Sequence, residues 1–182
     1  MKGYIFDLDG VLVDTAKYHY IAWKTIAKEF NFELTPQHNE QLKGIGREVS
    51  LHQILQWAGK TLSETDFTNT ALRKNKLYLE QISSIDSSEL LPGVLNFLQL
   101  LKAHHKKIAL GSASRNARLV LERTGILPLF DAIVDGTMVS KAKPNPEVFL
   151  KAAEGLGLPP ADCCVFEDAP AGVQATKSAG MK

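Results

Sequence analysis

The chain has 182 residues, of which 45% are hydrophobic and 23% charged, and it carries a net charge of +1 at pH 7. These are ordinary globular proportions in a chain long enough to bury a substantial core, as one domain or one domain with an insertion. They exclude an electrostatic case for nucleic acid or a membrane surface as partner, and no apolar run approaches the length of a membrane span. One lysine followed by Gly-Tyr-Ile-Phe and two aspartates does not make a signal peptide. Cys163 and Cys164 are adjacent, a spacing that suits neither a disulfide nor a zinc site, so a reducing, cytoplasmic setting is expected.

Gly3-Tyr4-Ile5-Phe6 reads as a short strand buried on both faces. It stops at two carboxylates, Asp7 and Asp9, and then Gly10. In an open parallel sheet, ligands bind beyond the carboxyl ends of the strands. One carboxylate placed there can act as a nucleophile, the other can exchange a proton with a substrate hydroxyl, and the pair can attract Mg²⁺. An Asx-turn or helix N-cap at Asp7 reads the same residues without function.

Asp14-Thr15 is a helix start, and Tyr18, Ile21, Ala22, Ile26, Ala27 and Phe30 give the helix an apolar face. Thr15, His19 and Trp23 form a separate i, i+4 stripe close to Asp9. Pro36 is expected to break this helix. Lys43-Gly44-Ile45-Gly46-Arg47, followed by Ser50, can form a tight loop whose N–H groups and arginine hold a phosphate; a helix–helix turn with solvated charges is the alternative. Two more helices are expected in 51–82, the first ending near Gly59 and the second opened by a capping box from Ser63 to Asp66. On pattern alone, Lys74 is a solvated lysine of the second.

Leu91-Pro92-Gly93 restarts an alternation of strands and helices, the signature of a parallel sheet. Lys107-Ile108-Ala109-Leu110-Gly111 is a strand ending at Ser112-Ala113-Ser114-Arg115-Asn116, a hydroxyl-rich anchor for an anion ahead of a helix. Phe130 to Val134 leads into a further strand. Asn145-Pro146 marks a helix start as N-cap and N1, and Pro144 holds Lys143 extended just before it. Lys141 competes with Lys143 as the fixed ammonium. Cys163-Cys164-Val165-Phe166 is the last strand, and it ends, like the first, at acids: Glu167 and Asp168.

Asp7-Leu8-Asp9-Gly10-Val11, Ser112, Lys143-Pro144 and Glu167-Asp168 resemble, in order, the four motifs of the haloacid dehalogenase superfamily of phosphoryl-transfer enzymes. The resemblance implies a Rossmannoid three-layer α/β core, residues 1–14 and 90–182, with an inserted all-helical cap, residues 15–89. The Thr15–His19–Trp23 stripe and the Lys43–Arg47 loop are similar to the β-phosphoglucomutase branch. By that resemblance Asp7 is the nucleophile, Asp9 the general acid and base, and Ser112 and Lys143 catalytic partners. Mg²⁺ is held by Asp7, Asp168, the Asp9 backbone carbonyl and Glu167, directly or through water. Thr15, His19, Trp23, Lys43, Gly44, Arg47, Ser50, Lys74, Ala113, Ser114, Arg115 and Asn116 bind substrate. The implied reaction interconverts β-D-glucose 1-phosphate and glucose 6-phosphate through an aspartyl-phosphate and β-glucose 1,6-bisphosphate, in a monomer whose partner is a small sugar phosphate. A sugar-phosphate phosphatase is the main alternative. A dehalogenase is disfavoured by Asp9 and the Glu167-Asp168 pair, and a non-catalytic binding protein by the intact motifs. Relatives in the superfamily continue past Gly180, so Met181-Lys182 is expected to open a strand that the chain lacks.

Overall fold

A computed structural model describes residues 1–182. Four parallel strands form the sheet: β1 (Gly3–Phe6), β2 (Lys107–Gly111), β3 (Ala132–Val134) and β4 (Cys163–Phe166), in the order β3-β2-β1-β4. Ile5 lies opposite Ala109 on one side and Val165 on the other, so β1 is internal. The Lys182 N–H donates to Cys163 O, and the Val165 N–H donates to Lys182 O at 2.7 Å, which lays the last residues along the free edge of β4.

Side chains alternate across a strand, and here the two faces differ in kind. Tyr4, Phe6 and Phe166 form one face with Phe97 of helix α5 (Val94–Ala103); the Phe6 and Phe166 rings stack at 4.7 Å. Helix α6 (Ala117–Arg123) covers the same face through Ala117, Val120 and Leu121. Ile5, Ala109 and Cys163 face α7 (Glu147–Gly155) and α8 (Pro170–Ser178). Helices on both faces of a parallel sheet are the expected three-layer architecture.

Four helices intervene between β1 and β2: α1 (Ala16–Glu29), α2 (Pro36–Leu42), α3 (Arg47–Ala58) and α4 (Glu64–Ile82). They share a core of their own around Trp23, Ile26, Leu34, Leu51, Ile54 and Leu55. Ala22, Tyr78 and Ile82 pack instead with the sheet's core, joining the helical insertion to the layers beneath it.

The local expectations fail at four points. Pro36 does not break a helix: α1 already ends at Phe30, with Asn31 at φ 56°, and Pro36 is the first residue of α2. Thr35 caps α2, its Oγ1 accepting from the His38 N–H while His38 Nδ1 accepts from the Thr35 N–H; histidine fills the role usually given to Glu or Gln. Ile21 is exposed, at 46%, so the apolar face of α1 is narrower than its pattern suggests. Helix α7 begins one residue late, at Glu147, and Asn145 Oδ1 accepts the Glu147 N–H at 3.1 Å. At Ser63 only half of a capping box forms: Ser63 Oγ accepts the Asp66 N–H, but the Asp66 carboxylate receives the Ser63 hydroxyl rather than a backbone N–H.

Phe149 is fully buried on α7, with Gly111 of β2 on one side and the Lys143 ammonium 4.7 Å from its ring centre. Phe149→Ala opens a cavity that this close-packed layer can fill only by moving β2. Urea unfolding should show a loss of about 3–5 kcal/mol; a loss below about 1 kcal/mol would mean that the layer collapses freely.

Candidate active site

The strands deliver their acids and hydroxyls to one end of the sheet. Asp7 follows β1, Ser112 follows β2, and Glu167 and Asp168 follow β4. The order reverses at β1, the place where an open α/β sheet leaves a crevice. Above it α1, α3 and α4 cover a cleft, partly open to solvent, lined by Asp7, Asp9, His19, Arg47, Lys74 and Ser112.

At the floor, Lys143 Nζ lies 2.7 Å from Asp7 Oδ1 and 2.6 Å from Glu167 Oε2. Lys143 is 3% exposed, whereas its competitor Lys141 is exposed. Burial works against the ammonium, but Asp7 and Glu167 outweigh it and hold the group above its ordinary value. The Asp7, Glu167 and Asp168 side chains offer carboxylate oxygens within 4.8 Å of one another. Burial, then the neighbouring Asp7 charge, pushes both Glu167 and Asp168 upward. A cluster with more negative charge than one ammonium can balance is chemically suited to a hard divalent cation. Gly10 makes room for it: its φ is 86°, and a Cβ there would run into the Asp168 carboxylate.

Asp9 stands two residues above the floor, in different surroundings. Thr15 is the N-cap of α1 but makes no side-chain capping bond; its hydroxyl goes to Asp9 Oδ1 instead. His19 Nε2 is 3.7 Å from Asp9 Oδ2, and His19 Nδ1 is 2.6 Å from Lys74 Nζ. Burial, then the Lys74 charge, keeps His19 well below its ordinary value, so it is neutral. When the Lys74 ammonium donates to Nδ1, the His19 ring proton is on Nε2, toward Asp9. Burial lowers Lys74 to about 7, with Arg47 adding to the shift. Asp9 is raised to about 6, first by burial and then by Asp7, against the pull of the Thr15 hydroxyl. Its side chain keeps 22% of its surface open to the cleft. Trp23 closes the stripe, its ring 4.7 Å from Lys74 Nζ.

Much of the remaining cleft lining is basic or polar. Arg47 Nη2 and Asn116 Nδ2 both donate to Asn75 Oδ1, each at 2.8 Å, so one carboxamide ties α3, α4 and the turn before α6 together. Ser112 Oγ accepts the Ser114 N–H at 3.1 Å, and Ser114 Oγ accepts the Asn116 N–H at 3.3 Å, which builds the stepped turn after β2. Ala113, Lys43, Gly44 and Ser50 complete the lining. Gly44 has φ 71°, and its Cβ position meets Ala169, so only glycine brings this loop so close to the β4–α8 turn. Some expected groups are engaged elsewhere: Arg115 pairs with Glu48 at 2.8 Å, Lys43 with Glu40 at 2.9 Å, and Ser50 Oγ donates to Gly46 O.

The sequence reading missed Asn75 and Tyr78. Asn75 lies inside the Arg73-Lys74-Asn75-Lys76 run and resembles a solvated residue. Tyr78 is fully buried, stacks on His19 at 3.9 Å, and leaves its hydroxyl without a partner. It is four residues beyond Lys74, a helical spacing that could have placed it beneath the same stripe.

A family model described as haloacid dehalogenase-like hydrolase matches residues 1–180. A β-phosphoglucomutase of Bacillus subtilis is 48% identical over 100% of this chain and 81% of its own length. A crystal structure of a β-phosphoglucomutase from Clostridium difficile superposes with a TM-score of 0.96 at 43% identity, covering 100% of this chain and 82% of the other. A fructose-1-phosphate phosphatase of Escherichia coli is 32% identical over 98% of this chain and 93% of its own length.

The raised Asp9 carboxyl has a consequence for stability. Its folded pKa, about 6, exceeds the unfolded value near 3.8, so between those values the folded state binds more protons. Stability is lost as pH rises across that interval. Asp9→Asn should remove this loss, raising stability by about 3 kcal/mol at pH 7 and by less than about 1 kcal/mol at pH 4. Unfolding curves at the two pH values check this; an equal shift at both would contradict it.

Proposed function

The chain belongs to the haloacid dehalogenase-like hydrolase family, and from that premise we propose that it interconverts β-D-glucose 1-phosphate and glucose 6-phosphate. One observation carries the reading beyond the family. The cleft lining brings Asp7 and Ser112, with Lys143 buried behind Asp7, into one space with the cationic and amide groups of Lys43, Arg47 and Asn116, and Asp9 lines it on the His19–Lys74 stripe. That arrangement fits a sugar phosphorylated at both ends.

In the proposed reaction an oxygen of Asp7 attacks phosphorus in line, and the bond from phosphorus to the sugar oxygen breaks. Asp9, in its acid form, delivers a proton to the departing oxygen. In the return direction Asp9 takes the proton from the attacking sugar hydroxyl, and the phosphoryl group leaves Asp7. A carboxyl near pH 6 can hold both states at neutral pH. Thr15 fixes one Asp9 oxygen and neutral His19, aligned by Lys74 and Tyr78, faces the other. Lys143 pairs with Asp7 and, with the Ser112 hydroxyl, faces the oxygens of the transferring group. Asp7, Glu167, Asp168 and the Asp9 carbonyl would hold Mg²⁺, which when bound supplies positive charge to the phosphoryl oxygens.

Residues 15–89 act in this proposal as a cap that keeps water from the aspartyl-phosphate. β-Glucose 1,6-bisphosphate is the intermediate; it reorients so that either phosphate meets Asp7. Arg47 and Asn116 hold the phosphate that is not being transferred, with Lys43, Gly44, Ser50, Ala113 and Arg115 around it.

The test is product analysis with Mg²⁺, β-glucose 1-phosphate and a trace of β-glucose 1,6-bisphosphate. Glucose 6-phosphate should form with little free phosphate, and Asp7→Asn should abolish it. Stoichiometric free phosphate would instead favour a sugar-phosphate phosphatase, the activity named for the Escherichia coli relative.

A further inference from the structure

Lys143 must hold one position, yet it lies on the connection between β3 and α7, residues 135–146, most of which is not buried. Loops with exposed backbone open at low free energy. The first turn of α7 supplies a restraint. Glu147 Oε2 accepts the Lys141 N–H at 2.8 Å, the Ser140 N–H at 3.1 Å and the Ser140 hydroxyl at 3.0 Å. Lys151, one turn on, bonds Glu147 Oε1 at 2.8 Å and donates to Met138 O at 2.6 Å. On the other side of Lys143, Asn145 Oδ1 accepts the Glu147 N–H, and the Asn145 N–H donates to Ala142 O at 3.0 Å. The chain before and after Lys143 is thus tied to a single helical turn, the same turn that places Phe149 beneath the ammonium.

We propose that Glu147, seconded by Lys151, is a positioning residue for Lys143: its carboxylate straps residues 138–141 to α7 and so holds the ammonium between Asp7 and Glu167. The strap touches no residue of the cleft apart from Lys143's own loop. Its loss should therefore change the chemical step and leave substrate binding intact. This proposal rests on the reading of Lys143 given above for its kinetic consequence, but not for its structural one.

The structural consequence is read by amine acylation followed by peptide mass spectrometry on the full chain, well below the unfolding midpoint. In the unaltered protein Lys143 and Lys74 are both buried and should both be protected. In Glu147→Ala, and more weakly in Glu147→Gln, Lys143 should be labelled at least about tenfold faster while Lys74 stays protected. The kinetic consequence is a fall in kcat of about 10–100-fold with KM changed less than about threefold, and no further fall when Glu147→Ala is added to Lys143→Ala. Continued protection of Lys143, or Lys74 labelling that rises in step with it in both variants, would overturn the proposal. So would a rate loss that persists in the Lys143→Ala background. If the labelling changes as expected but the unaltered protein forms no glucose 6-phosphate, the strap stands and the mutase reading falls.

Discussion

The buried triad of Asp7, Lys143 and Glu167 is the constraint on which the rest of the structure depends. Two carboxylates and an ammonium lie there nearly without solvent, and removing the ammonium would leave two buried carboxylates uncompensated, at a cost of about 3–5 kcal/mol. The members come from the end of β1, the loop before α7 and the end of β4, so the sheet order and the position of α7 must all be right before the triad can form. The reward is chemical. In the proposed reaction the Asp7 carboxylate is the nucleophile, and the ammonium beside it faces the charge that builds on the transferring phosphoryl group.

Asp9 solves a different problem. A proton carrier must be able to change charge near neutral pH, so it needs burial without a full ion pair. The site provides a hydroxyl from Thr15, a neutral imidazole at 3.7 Å and an open face to the cleft. All of that comes from α1 and α4, outside the sheet layers. Thr15 gives up a helix cap, which is ordinarily worth about 1 kcal/mol, to hold Asp9. In the proposed reaction the core carries the phosphorus chemistry, and the helical insertion tunes the proton and helps hold the substrate. Asn75 links the two, because one oxygen receives both Arg47 from the insertion and Asn116 from the core.

What could be read in advance follows from how locally each feature is encoded. Strand ends are marked by apolar runs that stop at polar residues, so β1, β2 and β4 and their acids and hydroxyls were legible, as was the parallel sheet between helices. Lys143 was separable from Lys141 because Pro144 follows it. Helix α2 was hidden because its capping partner is His38, and because Pro36 resembles a breaker when it is in fact a first-turn residue. Asn75, Tyr78 and the Arg115–Glu48 pair depend on which sides of α3, α4 and the β2–α6 turn come to face one another. Tertiary packing settles that, and of the three only Tyr78, one helical turn beyond Lys74, left a local trace in the sequence.

The account's central claim is that phosphate on Asp7 is kept for a sugar and denied to water. It is tested most directly by forming labelled phospho-Asp7 and following its decay by rapid quench, with and without β-glucose 1-phosphate. The account predicts slow decay in buffer, decay at least about 100-fold faster with the sugar phosphate, and label recovered in glucose 1,6-bisphosphate. Equal decay in both, with the label released as inorganic phosphate, would contradict it.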